Sequence, residues 1–303
     1  VPEPGAGEAR VRHTAVGLNF IDVYHRRGIY PLPALPAVLG LEAAGRVEAV
    51  GPGVAHVKTG DRVAYAGGPT GAYSERRIVP ADRLIVLPDQ IDEQRAAAMM
   101  LKGMTAEYLL RRTFRVERGH TILMHAAAGG VGLIACQWAK ALGATVIGTV
   151  GTREKAKVAI EHGCDHAIVS SEEDVVARVK AITGGRGVPV VYDAVGKDTF
   201  MQSLDCLGPR GTMVSFGQAS GMVPPLDVTV LSAKGSLYLT RPTLFHYTAT
   251  REDLLASASA LFHVVRSGAV RVEVGQTYPL RDAARAHDDL EARRTVGSTV
   301  LVP

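Results

Sequence analysis

The sequence predicts an α/β fold in which a doubly wound parallel sheet follows a β-rich domain, and three observations carry that expectation. From about Lys102 onward, short apolar runs alternate with stretches of helical periodicity, the pattern of βαβ units on a parallel sheet. A glycine-rich turn, "HAAAGGVG" at residues 125–132, sits between the first such strand and the first such helix. Ahead of it, residues 1 to about 100 hold short β-type runs punctuated by Gly and Pro.

Composition bounds the possibilities. A chain of 303 residues is long enough for two domains. With 47% hydrophobic and 21% charged residues it is neither disordered nor fibrous. The net charge is +4, but the basic residues are scattered as pairs such as Arg26-Arg27, Arg76-Arg77 and Arg111-Arg112, which describes a solvated surface rather than a nucleic-acid groove. Cys136, Cys164 and Cys206 lie far apart and outside any Cys-x-x-Cys spacing, so neither a disulfide framework nor a zinc lobe is implied, and a reducing, cytoplasmic setting is expected. The uncharged run Gly119–Ala139 is long enough to resemble a membrane span, but the glycines and histidine in its middle argue against one.

Taken in order, "ARVRHTAVGLN", "EAAGRVEAVGPGV", "GDRVAYAG" and "GAYSERRIVP" read as strands and turns of the first domain. The opening "VPEPGAGEARVR" looks like the return from a hairpin, so a preceding strand is expected and Val1 is not expected to be the native start. The alternating region then gives strands in "TILMHA", "ATVIGTV", "HAIV", "VPVVYDAV" and "GTMVSFG", with helices in "GGVGLIACQWAKALG", "TREKAKVAIEHG" and "SEEDVVARVKAITG". After Thr240 come a helix in "TREDLLASASALFHVVRSG", a strand in "RVEVGQTYPL", a helix in "RDAARAHDDLEAR" and a strand in "STVLVP". That tail is assigned back to the first domain, giving expected boundaries of 1–101 with 241–303, and 102–240.

The turn fits the Rossmann dinucleotide fingerprint, whose glycines permit a tight turn, close approach to a pyrophosphate and close helix–sheet packing. Ala127 takes the first glycine place, while Gly129 and Gly132 hold the others. Ala128, Gly129, Gly130 and Val131 are therefore candidate cofactor contacts. An NAD-preferring site carries an acid roughly 20 residues further on, at the tip of the second strand. Here that window is "TVGTREK": Gly151 and Thr152 stand where the acid would be, and Arg153 and Lys155 follow. Two cations without an acid suit a 2′-phosphate and favour NADPH; the competing reading is that they solvate a helix start whose Glu154 suits the dipole.

Several stretches in order, "GLNFIDVYHRRGIYP", "LPAVLGLEAAGRVEAVG", "GDRVAY", "HAAAGGVGLIACQWAKALGA", "VVYDAVG", "MVSFG" and "GSLYLTRP", resemble the zinc-free quinone oxidoreductases, the zeta-crystallin-like branch of the medium-chain dehydrogenase/reductase superfamily. The resemblance runs essentially end to end and implies a GroES-like catalytic domain beside the Rossmann domain. Zinc-dependent relatives use a cysteine where this chain has Asn19 and a histidine where it has Leu41. Catalytic zinc needs about three protein ligands, so no metal is expected, and Asp22 and Glu42 read as hydrogen-bonded structural groups. Without a Lewis acid the acceptor has to be electrophilic already. The resemblance and the chemistry together imply NADPH-dependent reduction of a quinone, with an α,β-unsaturated carbonyl (enone) as the alternative substrate.

On the same resemblance, Asn19, Tyr24 and Tyr30 line the cleft by the nicotinamide, orienting its carboxamide or donating to a developing oxyanion. The alternative for the tyrosines is packing with a polar tip. Thr105 approaches the nicotinamide, with Lys102 nearby or simply at a helix start. Phe216, Gly217, Thr240, Arg241 and Pro242 match strand ends beside the cofactor, and Arg293 matches a C-terminal cofactor contact. Ser170 stands where close relatives can carry a tyrosine near the adenosine phosphate. His125 and Cys136 read as structural. "GSLYLTRP" reads as the last strand of an open sheet, which a two-fold partner would cover to make a homodimer. A cofactor-binding protein acting on RNA or as a bulk structural protein is the alternative from another class, and arginines without aromatic interleaving argue against it.

Overall fold

Buried and outward-facing side chains alternate along Glu8–Thr14, with Ala9, Val11 and His13 inward and Arg10, Arg12 and Thr14 outward, the period of a half-buried strand. This is β1 (Glu8–Leu18) of the computed structural model, which describes residues 1–303. The chain continues through α1 (Phe20–Arg26), β2 (Glu42–Val50), β3 (Arg62–Ala66), β4 (Arg76–Pro80), β5 (Ile85–Val86) and α2 (Glu93–Tyr108). Next come β6 (Thr121–Met124), α3 (Gly130–Ala141), β7 (Thr145–Val150), α4 (Arg153–Glu161), β8 (His166–Val169), α5 (Val175–Ile182), β9 (Val188–Asp193), α6 (Phe200–Cys206) and β10 (Leu207–Ser215). The remainder is α7 (Thr229–Ala233), β11 (Tyr238–Thr240), α8 (Leu244–Tyr247), α9 (Arg251–Arg266), β12 (Val274–Pro279), α10 (Ala283–Glu291) and β13 (Ser298–Val302).

Two units result: Val1–Met104 with Tyr247–Arg266 and Val272–Pro303, and Thr105–His246 with Ser267–Arg271. The first is built on a seven-stranded sheet in the order β12-β13-β1-β2-β3-β5, with β4 also paired to β1. Its β1–β2 ladder is antiparallel and shifts register between His13 and Ala15. Gly45 lies at that irregularity because a methyl there would meet the Arg12 carbonyl oxygen at 1.9 Å. Val11, Val16, Leu18, Val47, Val63, Tyr65, Leu84 and Leu301 form its core.

The second unit holds a six-stranded sheet in the order β11-β10-β9-β6-β7-β8, every neighbouring pair parallel. Counted from β6, that is 6-5-4-1-2-3, the doubly wound dinucleotide-binding order, whose switch point falls between β6 and β9. Strands such as β6 and β7 are buried almost throughout, as a parallel sheet covered on both faces requires. Leu123, Ile147, Ile168, Val191, Phe200 and Met213 pack its core. The uncharged run Gly119–Ala139 divides into β6, the glycine turn and most of α3, and no helix is long and apolar enough to cross a membrane.

The division of the chain differs from the expected one at three places, the first being Lys102–Met104, which group with the first unit. Residues 241–246 group with the parallel-sheet unit, because the Arg241 guanidinium donates to the carbonyls of Ser215 and Gly217, each at 2.8 Å. Ser267–Arg271 also groups there: the Gln137 side chain on α3 donates to the Arg271 carbonyl at 3.0 Å and accepts its N–H at 2.9 Å. Lys102 is not at a helix start either, since it stands in the second half of α2, which begins at Glu93.

Candidate active site

In the parallel-sheet unit the expected cofactor residues gather at one edge. Ala128–Val131 follow β6, Gly151–Lys155 follow β7, Ser170 follows β8, Phe216 and Gly217 follow β10, and Arg241 and Pro242 follow β11, which ends on Thr240. In a parallel sheet these carboxyl ends share an edge, and that edge is where open α/β sheets bind ligands. The turn after β6 lies at the switch point itself.

Sterics fix the turn. A methyl on Gly132 would meet the carbonyl oxygens of Ala126 and Ala127 at 2.4 and 2.6 Å, so α3 starts close against the incoming chain only with glycine there. The left-handed residue of the turn is Ala126, with φ of 54°, one position ahead of the Ala127 that replaces the fingerprint's first glycine. Gly129 is the N-cap of α3 and has no side chain to cap it, which leaves first-turn N–H groups for an anion. Behind the turn, His125 bridges the Thr149 hydroxyl at 2.8 Å and the Ser203 hydroxyl at 3.0 Å, and burial lowers its pKa. Cys136 is fully buried, with its Sγ 3.5 Å from that of Cys164. Both are structural.

At the β7 tip, a methyl on Gly151 would meet nothing within 4 Å. The Thr152 hydroxyl caps α4 by accepting the Lys155 N–H at 3.3 Å. Arg153 is exposed and pairs with Glu172 at 2.8 Å, a partner the sequence reading did not single out. Ser170 is exposed and donates to the Val150 carbonyl at 3.1 Å. Gly217 packs against Ala194, whose carbonyl oxygen would lie 2.5 Å from an added methyl.

In the other unit, β1 is followed by Asn19, the N-cap of α1. Its Nδ2 donates to Glu42 at 2.7 Å and to the Gly17 carbonyl at 3.4 Å. Glu42 is wholly buried and also accepts the Leu101 N–H at 2.7 Å and the Lys102 ammonium at 3.1 Å. A methyl on Gly17 would sit 2.2 Å from a Glu42 oxygen, so glycine makes room for that carboxylate. Lys102 thus serves a buried ion pair. Tyr24 is buried and packs edge-on against Tyr30, ring centroids 5.2 Å apart. Arg293 closes the turn after α10 in the left-handed region, with φ of 59°. Thr105, also buried, lies on α2 at the start of the parallel-sheet unit.

Asp22 is the other buried carboxyl. One oxygen accepts the Asn19 N–H at 2.9 Å and the Tyr73 hydroxyl at 3.1 Å, and the other, Oδ1, has no partner. Burial pushes its pKa up to about 7, against the pull of those hydrogen bonds and of Lys102. The Tyr73 oxygen also meets His287 Nε2 at 2.9 Å, and burial drives His287 down to about 4. A neutral His287 protonated on Nε2 donates to Tyr73 while Tyr73 donates to Asp22. No group of three or more His, Cys, Asp or Glu side chains is placed to hold a metal ion.

Residues 5–89 match the family model "Alcohol dehydrogenase GroES-like domain" and residues 130–259 match "Zinc-binding dehydrogenase". A curated quinone oxidoreductase of Pseudomonas aeruginosa is 58% identical over 301 residues, 99% of this chain and 93% of that one. This chain belongs to the quinone oxidoreductase family of the medium-chain dehydrogenases/reductases. Within the family, a 2-haloacrylate reductase from a Burkholderia species is 49% identical over 100% of this chain and 93% of its own length. The crystal structure of Escherichia coli quinone oxidoreductase complexed with NADPH superposes with a TM-score of 0.99 at 53% identity, covering 100% of this chain and 94% of that one.

The Asp22 carboxyl gives this quinone oxidoreductase a pH-dependent stability. Its folded pKa of about 7 lies above the ordinary 3.8. The stability it contributes is therefore complete below pH 3.8 and lost as pH rises through 7. Between pH 5 and pH 8 the wild type should lose about 2 kcal/mol of unfolding free energy that Asp22→Asn retains. Urea unfolding of both proteins at the two pH values measures this; parallel losses would show that Asp22 ionises normally.

Proposed function

We propose that this chain is an NADPH-dependent quinone oxidoreductase acting without a metal. The observation that carries the reading is its full-length likeness to the Escherichia coli quinone oxidoreductase solved with NADPH. The chain's own residues suit that cofactor: the glycine turn leaves first-turn N–H groups for the pyrophosphate, Gly151 leaves open space at the β7 tip, and Arg153 and Lys155 supply positive charge where no acid stands. Ser170, Phe216, Gly217, Thr240, Arg241 and Pro242 lie at the same strand ends and serve the same molecule, with Thr105 and Arg293 as further contacts.

Bound NADPH supplies the hydride. The protein's part is to hold the acceptor and to meet the charge that develops on it. Both Nδ2 protons of Asn19 are directed at Glu42 and Gly17, so what Asn19 offers is its carbonyl oxygen, an acceptor that orients a carboxamide N–H₂. The oxyanion donor is then a phenol, Tyr30, held by Tyr24. Donor chemistry supports a metal-free reaction, because the Asn19 amide is engaged and Leu41 is a buried apolar side chain. A quinone needs no Lewis acid, since it spreads the incoming charge over a conjugated ring. The 2-haloacrylate reductase relative supports other conjugated acceptors, enones among them. Three free buried cysteines support a reducing, cytoplasmic setting.

NADPH consumption with a panel of quinones, enones and alcohols tests the reading. Quinones should turn over fastest, alcohols should give no reverse reaction, and NADPH should be preferred over NADH by tenfold or more; equal Kd values for the two would sink the cofactor assignment. Tyr30→Phe and Asn19→Ala should each lower kcat/KM for quinone about tenfold with NADPH affinity nearly intact. Because Asn19 also holds Glu42, its variant is read beside a melting curve, and wild-type turnover in both would reduce the two residues to packing. The edge strand β11 exposes Tyr238 and Leu239, and a second copy covering that edge gives a homodimer. Light scattering at micromolar concentration should return twice the chain mass, and a monomer would remove the idea.

A further inference from the structure

The tip of β7 carries a cation that is already engaged. Arg153 Nε lies 3.1 and 2.8 Å from the two carboxylate oxygens of Glu172, and its Nη2 lies 2.8 Å from Oε2. Glu172 reaches it from the exit of the neighbouring strand, since β7 and β8 run parallel with Val150 opposite Val169. The loop that presents Glu172 is tied down on both sides. Ser170 donates to the Val150 carbonyl and Ser171 to the Gly151 carbonyl, each at 3.1 Å. Beyond it, the Glu173 carboxylate accepts the Val169 N–H at 3.0 Å and pairs with Arg178 at 2.9 Å. The carboxylate at the strand tip is therefore a positioned group, although it is absent from the segment where the dinucleotide fingerprint looks for an acid.

We propose that Glu172 is a specificity-determining residue of the cofactor site: it holds Arg153, and a 2′-phosphate has to take the guanidinium from it. This rests on the reading that Arg153 receives the 2′-phosphate of NADPH. Both partners are well exposed, with side-chain accessibilities of 77% and 43%, and an exposed ion pair is held weakly against solvent and salt. A phosphate carrying nearly two charges can displace the carboxylate. Taking the guanidinium costs NADPH the ion pair, whereas the 2′-hydroxyl of NADH leaves that pair in place. Glu172 thus lowers the discrimination that Arg153 would otherwise give. The remaining charges on these elements are Glu154, Lys155, Lys157 and Glu161 on α4, Arg178 and Lys180 on α5, and Glu173 and Asp174 in the loop. None of them is changed by the variants below.

The test is equilibrium titration of NADPH, NADH and 2′,5′-ADP against wild type, E172Q, R153Q and the double variant, each first checked by thermal melting. E172Q should bind NADPH and 2′,5′-ADP about three- to tenfold more tightly while NADH stays within about twofold. The gain should vanish in the R153Q background and shrink in high salt. Weaker NADPH binding by E172Q would mean that Glu172 orients Arg153 for the phosphate, and an unchanged value would mean that it is a bystander; either overturns the proposal. A gain that survives in R153Q would overturn it as well, by showing direct repulsion without the pair. If R153Q itself leaves NADPH affinity untouched, the phosphate reading fails and takes the proposal with it, a result distinct from the others.

Discussion

The chain's cofactor unit depends on one close approach. At Gly132 there is no room for a methyl, because the carbonyl oxygens of Ala126 and Ala127 lie where it would go. That contact lets α3 begin directly behind β6, which sets its uncapped first turn at the switch point of the sheet. Gly148 repeats the constraint from the neighbouring strand: a methyl there would meet the Ala127 Cβ and the Cys164 Sγ, both at 2.6 Å. His125 then fastens the end of β6 to Thr149 on β7 and Ser203 on α6. A turn packed this tightly on three sides has little freedom to rearrange, so the N–H groups of the first turn of α3 are held in place by packing alone.

The other unit is organised by buried charge rather than by close packing of glycines. Glu42 gathers three donors, the Asn19 amide at the start of α1 and the Leu101 N–H and Lys102 ammonium on α2. Removing any one of them leaves a buried carboxylate short of a partner, the arrangement that costs most to break. Asp22, a few ångströms away through the Asn19 backbone, has one oxygen without a partner and moves toward its neutral form instead. The two acids differ in their partners: a cation stands beside Glu42, and only neutral donors touch Asp22.

Much of this was legible in the sequence, for local reasons. The alternation after Lys102 gave the strands β6–β10 and the helices α3–α5 because periodicity is carried by neighbours in the chain, and the fingerprint marked the turn, while the seven-residue α6 went unread. Other features depend on partners far along the chain. Helix α1 is seven residues with no long apolar period. Helix α2, "EQRAAAMMLKGMTAEY", is buried almost throughout from Ala96 to Tyr108, and a segment buried on every side shows no stripe to read. The unit boundary at Ser267–Arg271 follows from Gln137, more than a hundred residues away. Glu172 was invisible as a partner of Arg153 because its role comes from the parallel pairing of β7 with β8, not from its distance along the sequence. At Asn19 the sequence offered a candidate position, and only the structure showed that its Nδ2 is engaged by Glu42 and the Gly17 carbonyl.

These differences imply an asymmetry between the two halves of the function. Arg153 and Glu172, on which the proposed cofactor selectivity rests, stand at a helix start and beyond a strand tip, with side-chain accessibilities of 77% and 43%. Substitutions there change the local charge and leave the folding free energy nearly untouched. Asn19 is wired through Glu42 to Lys102 and α2, and Tyr30 is stacked on the buried Tyr24. Substitutions there disturb a buried network. On the roles proposed above, cofactor preference is the property this fold can retune at small cost, while Asn19 and Tyr30 are constrained by the stability of the unit that carries them.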